Sequence, residues 1–296
     1  MSSLSRPANS RQARPRNMAK LSNSLKALIN APFARPGPTP APAVMRDVFG
    51  SIARDAAQNK IGTRPWLAIS TAATFTLNSP DCLPILHAIA SSQRDQNQVQ
   101  TADFMREVGL KCISFNGIPR TINCLNAFYA ALPEAVSSQL SASPSRAPTP
   151  SSLGDIAARG RRLWDSIYAP FENKLVDRLA LSHPDLPVHI LNSHYGPLLS
   201  DPVEKNGPAS TGRVLTSMVA VACLRAQTGV GPQVLSHVFG LRKAWEDGSW
   251  QEKDGESEEV VEWLAGDEGL EWVLRSVDRI AEGLGSSFAP TRAAKL

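Results

Sequence analysis

Two histidines, a cysteine, an arginine and a serine have the types and positions that suit chemistry on a small molecule. His237 directly follows Ser236, and the cations Arg242 and Lys243 lie about one helical turn further on. Because histidine titrates near neutral pH, it readily exchanges protons with a lactone or an acid. This placement predicts His237 as a catalytic acid/base and Ser236 as a substrate-binding neighbour.

His87 and Cys82 form a second candidate group. Cys82 precedes His87 by five residues and follows Ser79-Pro80, where we expect a helix to begin. A helix N-terminus favours the thiolate and so lowers a thiol pKa. His87 is therefore a second candidate acid/base, and Cys82 a candidate for thiol redox chemistry. The alternatives are structural: a histidine hydrogen-bonded to a neighbouring carbonyl, and a cysteine on a buried helix face.

Arg120 is a candidate ligand for a substrate carboxylate, which a guanidinium binds through two hydrogen bonds. Its alternative role is that of a first-turn arginine, solvated or paired with an acid. The cysteines form neither a C-x-x-C pair nor a cluster with histidine at zinc spacing: Cys82, Cys112, Cys124 and Cys223. We therefore expect reduced thiols, no metal and no cofactor.

Composition places the 296-residue chain among ordinary globular proteins, with 42% hydrophobic and 20% charged residues. No uninterrupted apolar stretch reaches the roughly 18 to 20 residues that span a bilayer, and the start has no secretory apolar core. We expect a soluble, intracellular protein without membrane insertion.

The net charge of +4 is unevenly distributed along the chain. Residues 1–46 hold eight Lys/Arg and no acid, which leaves 23 basic and 27 acidic residues in the remainder. A nucleic-acid interface needs a basic stripe on the folded part, and no recognition-helix, RRM or KH pattern is present. Nucleic acid is therefore not an expected partner.

Low-complexity stretches divide the chain into segments that predict its domain organisation. Ser/Arg/Pro-rich and Ser/Pro-rich segments bury too little apolar surface to order themselves. They predict a disordered basic tail with a short helix and a proline-rich linker (1–43), a helical module (44–136), a linker (137–154), a second helical module (155–284) and a flexible C-terminal tail (285–296).

Apolar residues recur at helical spacing through both modules, and the alternation typical of strands is nearly absent, so the predicted class is all-α. The stretch "FNGIPRTIN" predicts a corner between two helices, because Gly117 lets one helix end tightly and Pro119 suits the first turn of the next. The inward face of the second helix is predicted as Ile122, Leu125, Ala127 and Phe128.

That corner belongs to a segment that resembles a known family. "DFMREVGLKCISFNGIPRTINCLNAF" is similar to the closing segment of carboxymuconolactone decarboxylase and alkyl hydroperoxidase D proteins, and "PWLAISTAATFTLNSPDCLPILHAIA" resembles their core helical hairpin. "GRVLTSMVAVACLRAQTGVGPQVLSHVFGLRKAWEDG" resembles the hairpin again, with His237 and Gly240 at the family's His-x-x-Gly. The resemblance implies two tandem modules packed together over about 44–284, with His87 and His237 as counterparts.

The chain departs from this family at the residues that reduce peroxides. Peroxide-reducing members carry C-x-x-C-x-x-x-H, since a thiolate attacks and a second thiol resolves the product. Here Val230 and Gln233 precede His237, and Pro80 and Leu83 precede His87. A dithiol peroxidase is therefore not expected.

Two function classes stay open, and a third, a basic-tailed binder of RNA or of a membrane surface, ranks last. The first is a small-molecule enzyme, with decarboxylase-like or isomerase-like proton transfer by His237 or peroxidase-related redox chemistry at Cys82. The second is a non-catalytic helical assembly protein that lost the dithiol, for which a homo-oligomer is one form.

The two ends of the chain indicate different cellular localisations. Ala294-Lys295-Leu296 fits the small-basic-leucine form of the peroxisomal signal and predicts the import receptor as a partner. The acid-free, Arg/Ser-rich start fits a mitochondrial presequence instead. We expect the peroxisome, with the mitochondrion or the cytoplasm as alternatives.

Overall fold

The computed structural model describes residues 21–94, 96–202, 209–251 and 255–285. These residues form helices and connections with no strand among them, which confirms the all-α class. Residues 1–20 of the predicted N-terminal tail (1–43) and the tripeptide Ala294-Lys295-Leu296 lie outside the described residues. Within the described ranges, no helix is both long enough and apolar enough to span a bilayer.

The chain divides into two compact units, residues 1–35 and residues 36–296. In the first unit, helix α1 (Asn23–Ile29) begins after Ser22, whose hydroxyl accepts a hydrogen bond from the N–H of Leu25. Such a cap satisfies one of the free N–H groups of the first turn. The large apolar residues in and just before this short helix are exposed: Leu21, Leu25, Leu28 and Ile29.

The second unit carries the remaining helices, including a π-helical segment at Ile190–Leu199. Their bounds are α2 (Met45–Gln58), α3 (Thr63–Thr76), α4 (Cys82–Ser91), α5 (Gln98–Lys111), α6 (Ile113–Asn116), α7 (Ile118–Ala131), α8 (Glu134–Ser137), α9 (Leu153–Tyr168), α10 (Glu172–Ser182), α11 (Asp185–His189), α12 (Gly212–Gln227), α13 (Gly231–Glu246), α14 (Glu258–Ala265) and α15 (Asp267–Gly283).

Helices α3 and α12 pack against each other at the centre of this unit. Both are buried on nearly all sides, because their sequences are apolar or small all round rather than along one stripe. Two buried threonine hydroxyls of α3 are satisfied locally: Thr74 donates to the Ser70 carbonyl and Thr76 to the Ala72 carbonyl, each over 2.7 Å.

The helices before and after the Ser/Pro-rich segment share one core. A single hydrophobic cluster contains residues of α2 to α5 and of α12 to α15. The expected linker has no helix between residues 138 and 152, but it is anchored to the core. Leu140 is buried, and Arg146 binds the buried carboxylate of Glu107.

The corner at Gly117 has the predicted form. Gly117 has a φ of 77° and lies between α6 and α7, and Pro119 stands in the first turn of α7. A positive φ suits glycine because it has no Cβ.

The predicted inward face of α7 is wrong at Ile122, which is 51% exposed. Phe128 is buried as predicted, Leu125 and Ala127 are half-buried, and Thr121 and Cys124, which were not predicted, are buried as well. The buried stripe of the helix therefore keeps Phe128 but is rotated away from Ile122.

Candidate functional site

His237 lies on α13, where the helix passes very close to α9. A Cβ atom at Gly240, one turn after His237, would lie 2.8 Å from Cγ2 of Ile167 on α9. Only glycine permits this approach. The contact brings His237 beside Tyr168, the last residue of α9.

The imidazole of His237 ends a chain of three polar side chains. Its Nε2 is 3.3 Å from the Tyr168 hydroxyl, which is 3.0 Å from the hydroxyl of Tyr195 in the π-helical segment. The Phe115 ring from the Gly117 corner meets the imidazole edge to face, with ring centroids 6.0 Å apart. The Gly117 corner, which precedes the Ser/Pro-rich segment, thus helps to enclose a histidine that follows that segment.

Burial sets the charge state of this group. Burial, and secondarily the positive charge of Arg213, lowers the pKa of His237 to about 4, so the imidazole is neutral at pH 7. Burial raises the pKa of Tyr168 and Tyr195, so both phenols keep their protons. A neutral imidazole beside a neutral phenol can pass a proton either way, because each both donates and accepts.

The second ring nitrogen of His237 has no hydrogen-bond partner among the described residues. Nδ1 is buried and forms no hydrogen bond with any described residue. Leaving a buried polar atom unpaired costs about 1–3 kcal/mol, a cost that structural histidines normally avoid. This unpaired nitrogen is one feature that distinguishes His237 from His87.

A cleft of about 730 Å³ lies beside this group, and Tyr168 and Ser236 both line it. Its size is in the range of small-molecule sites. The Ser236 hydroxyl donates to the Pro232 carbonyl over 3.0 Å. The other lining residues are Ile167, Ala169, Phe171, Lys174, Leu175, Arg178, Phe239, Arg242, Lys243 and Glu246.

His87 lies in a different place. It lines a separate cavity of about 390 Å³. Its Nε2 is 2.9 Å from the Gln98 carbonyl, and the Ser91 hydroxyl is 3.3 Å away. Burial lowers the pKa of His87, and the Gln98 carbonyl partly offsets this. Because Nε2 is held by a backbone carbonyl, this side chain fastens α4 to the start of α5.

Cys82 is fully buried, and its pKa is shifted against the predicted direction. Burial, with a smaller effect from the Asp81 carboxylate, raises the pKa of the thiol to about 12. The expected lowering by the helix N-terminus is therefore a wrong prediction, because burial outweighs it. Thiol chemistry at Cys82 has no support in this geometry.

Arg120 is engaged at a helix end. Its guanidinium donates to the carbonyl of Thr76 over 2.6 Å, at the C-terminus of α3, where a cation is favourable. Neither Arg120 nor Cys82 lines either cavity described above. Of the five candidates, Ser236 lines the cleft, whereas His237 is not among its lining residues and reaches it through the hydroxyl of Tyr168.

The sequence did not single out a largely buried ionic network that joins residues on both sides of the Ser/Pro-rich segment. Lys111 on α5 is fully buried and pairs with Asp201 over 2.8 Å, donates to the Leu199 carbonyl, and donates to the Thr216 hydroxyl over 3.2 Å. Arg146 binds Glu107 beside it. Burial would raise the pKa of Asp201, but Lys111 and the Gly212 N–H bring it below its usual value.

The position of Lys111 in the sequence could have predicted a buried ion pair. It lies between Val108 and Cys112 in the buried phase of α5, where a charged residue needs a buried partner. The sequence contains no such signal for Tyr168 and Tyr195, two of the chain's three tyrosines. Their contact with His237 depends on tertiary packing.

No metal site emerges from the described part of the chain, which contains no group of three or more His, Cys, Asp or Glu residues placed to hold an ion. Comparison with protein-family models, with curated proteins and with solved structures gives no match to this chain.

Proposed function

We propose that this protein is a small-molecule enzyme that transfers a proton through Tyr168 and His237 to a substrate in the neighbouring cleft. One observation carries the proposal: Tyr168 lines the cleft while its hydroxyl lies 3.3 Å from Nε2 of the buried His237. A group that reaches both the cleft and a buried imidazole is placed to relay protons.

The pair suits two related reactions. In an isomerase-like reaction it takes a proton from one substrate carbon and returns it to another. In a decarboxylase-like reaction it supplies the proton that replaces the departing CO₂. The charge of Arg213 favours the phenolate that forms when Tyr168 gives up its proton, because it lowers the pKa of that phenol against the effect of burial.

The resemblance to carboxymuconolactone decarboxylase and alkyl hydroperoxidase D proteins supports the same proposal. Each module has a hairpin, α3–α4 or α12–α13, with a histidine on its second helix. The first helices of the two hairpins pack together. This arrangement is what tandem modules of that family would have, and acid/base chemistry without a dithiol fits its decarboxylase branch.

The test is turnover of a small-molecule extract, followed by mass spectrometry. Wild type should convert at least one acid or lactone, and Tyr168→Phe and His237→Gln should lower the rate about 100-fold or more. His183→Gln, at an exposed position outside the cleft, is the matched control and should keep the rate. Equal turnover in all variants, or none in wild type, would contradict the proposal.

A second candidate is the non-catalytic assembly protein. An exposed apolar stripe on α7 favours it, since Ile118 is 58%, Ile122 51% and Tyr129 56% exposed. A second copy of the chain is the occupant that we propose. Sedimentation should then show a dimer or larger species that Ile118→Ser/Ile122→Ser dissociates; a wild-type monomer at high concentration would exclude it.

For the cellular localisation, we propose the peroxisome, with Ala294-Lys295-Leu296 as the import signal. The import receptor reads a free C-terminus. Deleting Leu296 should move the protein from puncta to the cytosol, while deleting residues 1–30 should leave the puncta in place. The reverse pattern, with mitochondrial signal, would favour the N-terminal alternative.

A further inference from the structure

The cleft beside Tyr168 has an apolar body and a cationic side. Ile167 and Leu175 contribute aliphatic surface, and the rings of Phe171 and Phe239 stand 64% and 58% exposed. Large aromatic side chains with this much exposure gain from an apolar ligand that covers them. The cleft therefore suits a ligand with a substantial apolar part.

Four cations and one acid line the same cleft: Lys174, Arg178, Arg242, Lys243 and Glu246. Arg242 already pairs with Asp267, and Lys243 donates to the Ala169 carbonyl. Lys174 and Arg178 are different, because neither forms an ion pair or a side-chain hydrogen bond with any described residue.

Lys174 and Arg178 also stand together. They are four residues apart on α10 and thus lie on one face of the helix. Two neighbouring cations with no described partner, beside apolar surface, are complementary to a single anionic group on an apolar molecule.

We propose that the cleft binds an anionic amphiphile, a carboxylate with an apolar body. Its carboxylate pairs with Lys174 and Arg178, and its body covers Phe171 and Phe239 and extends toward Tyr168. Binding rests on the cleft alone; that this ligand class is also the substrate rests on the proposed function.

Calorimetric titration of the full chain with decanoate, below its micelle-forming concentration, tests the binding. We expect saturable binding that weakens with added salt, since the contact is partly ionic. Lys174→Ala/Arg178→Ala should weaken it about tenfold or more, and Phe239→Ser should weaken it without changing the salt dependence. Arg46→Ala/Arg54→Ala removes the same charge from exposed positions on α2 and should have no effect.

The headgroup is tested with decylammonium and decanol. Both should bind at least tenfold more weakly than decanoate. Equal binding of decylammonium, no saturable binding of decanoate, or equal binding by Lys174→Ala/Arg178→Ala would overturn the inference.

The inference and the proposed function fail in different ways. His237→Gln, a change outside the residues that line the cleft, should bind decanoate like wild type but lose turnover. Decanoate binding without any turnover that depends on His237 would contradict only the enzyme proposal. Turnover that depends on His237 and that decanoate does not inhibit would contradict only the ligand class.

Discussion

At His237, burial and the charge of Arg213 oppose protonation in the folded chain, whereas an unfolded chain exposes the ring to water. The folded pKa of about 4 therefore lies below the unfolded value of about 6.5. Between these values the unfolded state binds more protons, so the free energy of unfolding falls as pH falls. Above the unfolded pKa the effect is absent.

This difference predicts a pH-dependent loss of stability. Between pH 6.5 and 4, His237 should remove up to about 1.4 kcal/mol of unfolding free energy per pH unit. Urea unfolding of wild type and His237→Gln at several pH values measures it. The variant should show a shallower slope in this window and an unchanged slope above pH 7. Parallel curves would mean that His237 titrates normally in the folded protein.

Cys82 should be inert in the native protein. Its thiol is buried, and its pKa of about 12 leaves very little thiolate at pH 7. Treatment with N-ethylmaleimide should leave Cys82 unmodified in native protein and modify it after denaturation in urea, as peptide mass spectrometry can measure. Rapid native modification would restore Cys82 as a redox candidate.

At the scale of the single helix, α7 carries two apolar stripes, one exposed and one buried. Ile118, Ile122 and Tyr129 follow one stripe, and Cys124 and Phe128 follow a neighbouring one. Helical periodicity shows that such stripes exist but does not say which one meets the core. The second stripe packs inward because α7 packs against α3, α4 and α5, and its Phe128 ring lies against the His87 ring.

Substitutions on the two stripes should change the stability by very different amounts. Phe128→Ala removes a fully buried ring and should cost about 3–5 kcal/mol. Ile122→Ala changes an exposed side chain and should stay within about 0.5 kcal/mol of wild type. Urea unfolding of both variants tests the orientation of α7, and a larger cost for Ile122→Ala would show that the helix is rotated from the position described.

That these segments are helical could be predicted from the sequence. Which face of each helix packs against the core could not. The stretch from Gly212 to Gly248, which resembles a helical hairpin in the sequence, forms the two helices α12 and α13. The Gly117 corner was also predictable from local chemistry. Contacts between distant residues were not: the Tyr168–His237 hydrogen bond joins positions 69 apart in the chain.

At the scale of the whole second unit, the ion pair between the buried Lys111 and the partly exposed Asp201 ties α5 to the segment before α12. Removing one partner of a buried ion pair leaves an uncompensated charge. Local patterns did not predict this pairing, because the groups that meet Lys111 lie 88 and 105 positions away, at Leu199 and Thr216.

Asp201→Asn should therefore destabilise the protein by about 3–5 kcal/mol at pH 7. Asp103→Asn is the matched control, because it removes a half-exposed carboxylate from the Arg106 pair on the same helix as Lys111 and should cost about 1 kcal/mol or less. Thermal or urea unfolding compares the two. Equal small costs would show that Lys111 finds other compensation.

Deuterium uptake tests proton transfer at Tyr168 and His237 most directly. A panel of small carboxylic acids and lactones is incubated with the protein in D₂O, and products are weighed by mass spectrometry. Wild type should place solvent deuterium on a carbon of at least one compound, and Tyr168→Phe and His237→Gln should not. No uptake with wild type, or the same uptake with both variants, would contradict the assignment of proton transfer to this pair.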